Sequence, residues 1–404
     1  MPVPQCACVL EWVIDNRRSP VTAVAIGGSV AVVSGLPLFL AGAMGVQLTH
    51  ELGFGAFGLG LAVATFRGVG AVLSIHLGRL ADHLGATRSV RLAATLAALG
   101  ALGIATTARG LGSLLAWLAV SGCALALAQP ASNRLLIRIV DHRRLGLAFG
   151  IKQSAAPTGS MLAGLSVPVV GLTVGWRWAY VMVAILATVV LLAAGKAPVR
   201  DPVTTKPRAV ATRLKHRGLI VLVGFAFALA DATSVVTTTF YVSAAVQAGT
   251  AQAFAGTILA VASVAAVTTR VLGGLVSDRL AAGHLTLCAV LLAAGSTGLA
   301  LLATGRAGLM SLGAVIALAG TWGFNGVFWF AMVRTYYDTP GRITGALAPG
   351  GLLGNTAGPV LFGFIVETAG YEPAWVAFGI VGLAAAAAMH MGSRCLMRLG
   401  TADP

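Results

Sequence analysis

The chain is poor in charge, and poorest in acid. Only 10% of its 404 residues are charged, with 12 Asp or Glu against 27 Lys or Arg. A water-facing domain carries roughly 25% charged residues, so a soluble fold cannot cover its surface with what is present. Cysteine is scarce and scattered: Cys6, Cys8, Cys123, Cys288 and Cys395 offer no metal spacing beyond one weak C-x-C, and Cys123 and Cys288 sit in apolar runs as small packing residues. The seven His (His50, His76, His83, His142, His216, His284, His390) are dispersed, which gives an embedded enzyme no catalytic constellation. No Walker A loop is present to couple ATP. Period-two alternation is missing too, which disfavours a transmembrane barrel. No cleavable leader is expected, because Glu11, Asp15, Arg17 and Arg18 interrupt the N-terminal stretch.

What is present is apolar: 57% of residues are hydrophobic and 52 are Gly. A crossing helix needs about 20 apolar residues. The apolar runs predict twelve crossings, at 21–48, 54–77, 89–108, 112–137, 146–170, 176–195, 218–245, 251–275, 285–304, 308–333, 343–368 and 372–392. The expected fold is an all-α membrane protein of two pseudo-symmetric six-helix bundles, 21–195 and 218–392. A cytoplasmic N-terminal segment (1–20), a basic linker (196–217) and a cytoplasmic tail (393–404) complete it. The linker is either a solvated loop or a strip lying on the anionic inner leaflet.

The net charge of +15 does not indicate nucleic acid, because the cations are spread through short junctions. With the N-terminus cytoplasmic, all Lys and Arg except Arg67, Arg109, Arg177 and Arg306 fall in cytoplasmic segments or adjoining span ends. That is the positive-inside pattern, and it places both termini in the cytoplasm of a cell with the chain in its inner or plasma membrane.

One junction occurs twice. Gly78-Arg-Leu-Ala-Asp82 lies 196 residues before Gly274-Leu-Val-Ser-Asp278. Gln129 matches Asn325 and Arg138 matches Arg334 at the same offset, and Gly150, Gly159 and Gly175 match Gly345, Gly354 and Gly370 one residue short of it. The ordered series reads as an internal duplication. Small residues at Gly350, Gly354 and Gly358, and at Gly60, Ala64, Ala71, Ser74 and Gly78, offer close-packing faces, either as sliding surfaces or as static contacts.

These residues resemble the major facilitator superfamily of secondary transporters over nearly the whole chain. Its signature between the second and third helices is met by Gly78, Leu80, Ala81, Asp82 and Gly85. His83 and Ala86-Thr87 replace basic residues, and Arg88 follows one place late. Gly274, Asp278 and Arg279 keep the second copy, and Gly175-Trp-Arg-Trp178 is a further family feature. The resemblance implies that Gly78, Asp82, Gly85, Arg88, Gly274, Asp278 and Arg279 form a cytoplasmic gate latch. A short loop is expected to hold Gly78 and Gly85 in tight turns. Pro157-Thr-Gly159 only loosely matches the family's antiporter motif.

Polar groups within spans require a partner or a function. Asp231 is the acid nearest mid-span and heads a polar face with Ser234 and Thr238; it serves proton coupling, a substrate cation or a structural pair. Arg67 is expected to bind an anion, to neutralise Asp231, or to alternate between the two. Lys152 and Gln153 lie two turns into the fifth span, where Lys152 either joins the site or snorkels outward. Gln129 and Asn133 on the fourth span, with Asn325, Trp322 and Trp329 on the tenth, suit either a small polar or aromatic solute or interhelical hydrogen bonding. Arg134 and Arg270, near cytoplasmic span ends, are expected to be latch or headgroup partners.

The reading that follows is a monomeric, proton-coupled carrier of a small organic or inorganic anion, near the cyanate-type permeases, without cofactor or metal. The alternative is a proton-driven drug or metabolite exporter.

Overall fold

The computed structural model describes residues 5–140, 151–194, 216–280, 282–336 and 340–400; the side chains of 5–20, Arg138, Asp278, 340–341 and 399–400 lie outside that description. Nearly all of the linker expected at 196–217, with Gly150, falls outside the described residues.

The first half contains α1 (Gln5–Ala43), α2 (Gly45–Leu52), α3 (Ala56–Leu84), α4 (Ala86–Thr107), α5 (Leu111–Ile139), α6 (Ala155–Ser166) and α7 (Trp176–Ala194). The second contains α8 (Arg217–Gln247), α9 (Gln252–Arg279), α10 (His284–Leu302), α11 (Ala307–Thr335), α12 (Pro340–Ala369) and α13 (Tyr371–Gly400). Eleven helices are long and apolar enough to cross a membrane among the described residues. The fifth expected crossing is α6, prolonged by a π turn at Val167–Gly171. Pro168 has no N–H to give the helical ladder, and the chain widens there instead of breaking.

The duplication is visible in backbone geometry. α5 and α11 are both 29 residues long and begin 196 residues apart. Gly53 and Gly249, at the same offset, have φ of 67° and 86°, a left-handed conformation that suits glycine where a helix must end and turn sharply.

Three expectations need correction. The first crossing ends at Ala43, and the residues expected to finish it belong to the separate helix α2. Gly78 and Gly274 lie inside α3 and α9, where an added Cβ would meet nothing within 4 Å. Only Gly85, at φ 78°, makes the turn, because the helix outlasts its apolar stretch by two polar turns. α13 likewise continues to Gly400, past the bundle end expected at 392.

The halves meet along α3–α12 and α6–α9, which are symmetry-equivalent seams, and along α1–α8. Small residues make these contacts. A Cβ on Gly164 would meet the Gly256 carbonyl oxygen at 2.6 Å, and one on Gly42 would meet the Thr239 Cα at 2.8 Å. Polar clasps join the halves at the end away from the Gly78 junction. The Phe57 N–H donates to Glu367 Oε1 (3.0 Å), and Gln252 Nε2 donates to Gln47 Oε1 (2.7 Å). Deeper along α6–α9, Ser263 Oγ donates to Ser160 Oγ (2.9 Å). Gly350, Gly354 and Gly358 do not slide between halves; they rest on the backbone of α8 at Gly224, Ala228 and Ala232, within one half.

Candidate functional site

Lys152 is 3% exposed, so it does not snorkel. Its Nζ donates to Gln129 Oε1 at 2.5 Å and Asn133 Oδ1 at 2.7 Å. The two amides stand one turn apart on α5, on either side of Pro130, so both reach one ammonium group. Charge-assisted hydrogen bonds of this kind hold an ion that apolar surroundings would otherwise penalise.

Asp231, 8% exposed, stands on α8 in the opposite half. Asn325 Nδ2 donates to its Oδ1 (3.2 Å) and Asn355 Nδ2 to its Oδ2 (2.8 Å). Asn355 is absent from the sequence-based candidates. Its signal was a lone amide beside Gly354, midway along an otherwise small and apolar span.

Arg67 and Arg270 complete the charged centre. The charge of each acts on Asp231, yet among the described residues neither pairs with it at salt-bridge distance. The buried Nε of each is without a hydrogen-bond partner. Arg270 spans the halves: its Nη1 donates to the Gln153 carbonyl (2.8 Å) and its Nη2 to the Trp322 carbonyl (3.2 Å). It is therefore a central residue, not the latch or headgroup partner its sequence position suggested. Gln153 meets it through main chain, while its own side chain is exposed.

Other expected residues stand apart. Ser234 Oγ donates to the Thr321 carbonyl (2.5 Å), and Thr238 Oγ1 donates to Val235 of its own helix (2.9 Å). Their hydroxyls serve helix packing and do not extend the Asp231 face. Trp322 packs edge-on against Phe39 across the halves, with centroids 5.9 Å apart. Trp329 joins Phe227 and Phe328 in an aromatic cluster, and Phe227 and Asp231 lie side by side against Gly351.

At the signature junction, Asp82 pairs with Arg134, which also donates to the Ala81 carbonyl at 3.0 Å. The pair ties α3 to α5 within the first half. Arg88 and Arg279 are exposed, and Arg334 Nη1 reaches the Leu280 carbonyl at 3.4 Å in the second half.

Two helical bundles closing on a buried charged centre define a membrane carrier. The family model of the Major Facilitator Superfamily matches residues 22–351, and the chain belongs to that superfamily. It is similar to two uncharacterized MFS-type transporters of Mycobacterium tuberculosis, one from strain CDC 1551 / Oshkosh (25% identical) and one from strain ATCC 25618 / H37Rv (27% identical). Each match spans 76% of this chain and 71% of the relative. Its fold is similar to a bacterial homologue of the human lysosomal transporter Spinster, in an inward-facing and occupied conformation (TM-score 0.75, 15% identity, 92% of this chain and 96% of that one). It is also similar to the nucleoside transporter NupG (TM-score 0.73, 15% identity, 91% and 99%).

Proposed function

We propose that this transporter carries a small anion by alternating access, coupled to protons. The observation that carries the reading is the charge balance at the centre: the charges of Arg67 and Arg270 act on one acid, Asp231, that acid is held by amides, Lys152 is held by two further amides, and among the described residues the Arg67 guanidinium has no carboxylate at salt-bridge distance. A cation inside a membrane needs a counter-charge, and a bound anion supplies one. Arg67 comes from the first half and Arg270 from the second, so an anion between them draws the halves together. Asp231 then serves as the proton site: an ionised Asp231 competes with the anion for the two guanidinium groups, and its protonation releases them.

The positive-inside distribution supports cytoplasmic termini in an inner or plasma membrane. The clasped end at Glu367 and Gln252 is then the outer one. The matched relatives are uncharacterized and lend no support to the narrower assignment to cyanate-type carriers. The aromatic cluster at Phe227, Phe328 and Trp329 favours the alternative, export of a flat organic solute.

Uptake into proteoliposomes under an imposed pH gradient tests the reading. Anion accumulation that follows the proton gradient, and that is lost in both Asp231→Asn and Arg67→Ala, supports it. Full activity in both variants, or gradient-driven extrusion of hydrophobic cations, rejects it.

A further inference from the structure

The four carboxamides at the centre have no choice about which end they turn inward. An ammonium only donates and a carboxylate only accepts. Gln129 and Asn133 accordingly present their oxygens to Lys152, at 2.5 and 2.7 Å, and keep their NH2 groups. Asn325 and Asn355 present their NH2 groups to Asp231, at 3.2 and 2.8 Å, and keep their oxygens. Asn355 also gives an N–H to the Gly351 carbonyl at 2.8 Å, so an acceptor is what it has left.

These remaining ends reach open space. Gln129 is exposed, and Asn133, Asn325 and Asn355 are partly exposed. None of their unused atoms is among the buried polar atoms without a partner. The first half thus offers amide donors beside Lys152, and the second offers amide acceptors beside Asp231. Arg270 turns its Nη1 onto the first half at Gln153, which adds to the same polarity.

We infer that the cargo is itself polarised: an organic anion whose charged group faces the first half and whose hydroxyl faces the oxygens of Asn325 and Asn355. The inference rests on the anion reading above and adds a second pole to it. It selects hydroxy-substituted carboxylates over plain aliphatic or simple inorganic anions, because a plain chain leaves the two acceptors of the second half without a donor once water is displaced.

Binding to the purified full chain in nanodiscs, read by tryptophan fluorescence and thermal shift, tests it. The probes are short carboxylates from acetate to phenylacetate, each as the plain acid and as its 2-hydroxy and 2-methoxy forms. The hydroxy form is expected to bind about ten-fold more tightly than the plain and methoxy forms. In Asn325→Ala that preference should fall to about one-fold, while Arg67→Ala loses every form. The wild-type ratio decides the matter even if a variant fails to fold. Equal binding of plain and hydroxy acids, still abolished by Arg67→Ala, overturns the second pole and leaves the anion reading standing. Binding of propylammonium with no binding of any carboxylate overturns both.

Discussion

Gln129 and Asn325 hold equivalent places on α5 and α11, 196 residues apart, and turn opposite ends of their amides towards a charge: Gln129 its oxygen to Lys152, Asn325 its nitrogen to Asp231. The duplication has kept an amide at one depth in both halves while the ions they serve have opposite sign. A carboxamide suits this place because it is a neutral side chain that can answer either ion.

Removing one of these amides should therefore affect more than packing. Gln129→Leu leaves Lys152 with Asn133 alone, and should cost about 1–3 kcal/mol of stability, the usual penalty for an under-satisfied buried polar group. Gln129→Glu pairs directly with Lys152, and should keep the thermal midpoint while lowering anion affinity at least about ten-fold, as a carboxylate replaces the cargo. Thermal unfolding and binding measured on both variants check this.

The Asp82–Arg134 pair joins two helices of one half. It is partly exposed, and surface pairs contribute about 0–1 kcal/mol, so stability should barely change when it is cut. Asp82→Asn should instead lower kcat with KM within about two-fold of the wild type, as expected for a change in a conformational step. An equal rise in KM would place Asp82 at the cargo and not at a latch.

Two glycines on α12 should respond with opposite sign to the same substitution. A Cβ at Gly354 would collide with the Ala228 carbonyl of α8, whereas one at Gly345 meets nothing within 4 Å. Gly354→Ala should destabilise by about 1–3 kcal/mol through overpacking. Gly345→Ala should stabilise by up to about 1 kcal/mol through helix propensity. Midpoints of thermal unfolding in one lipid or detergent give both numbers.

Acid should loosen the first half at Glu51, on α2 outside the crossings. Burial pushes its carboxyl pKa up, but hydrogen bonds from Trp176 and Arg177 and the Arg177 charge outweigh that and hold it below the ordinary glutamate value. The bonds are 2.5 Å from Trp176 Nε1 and 2.8 Å from Arg177 Nη2. A depressed folded value means that the contribution is full above the unfolded glutamate pKa of about 4.3 and fades as pH falls through the lower folded value. Glu51→Gln should therefore flatten the acid side of the stability profile and lower the midpoint slightly at neutral pH. Thermal unfolding across an acid pH series measures this.

The sequence by itself determined the helical membrane fold, the two halves and the signature junction. Long apolar runs leave few ways to satisfy a backbone in lipid, and a repeat is visible wherever the copies keep their residues, as Gly78–Asp82 and Gly274–Asp278 do. It also marked Lys152, Asp231, Arg67 and the amides Gln129, Asn133 and Asn325, because polar side chains stand out against an apolar background. Tertiary structure decided their partners. That Lys152 is held by α5, that Asp231 takes Asn355 from α12, that Arg270 reaches across to Gln153, and that Ser234 and Thr238 serve their own backbone contacts all depend on how helices rotate and tilt against one another. Those rotations follow from contacts such as Gly354 on Ala228 and Gly164 on Gly256, between residues far apart in the chain. A helical period fixes which residues share a face; only packing fixes what that face meets.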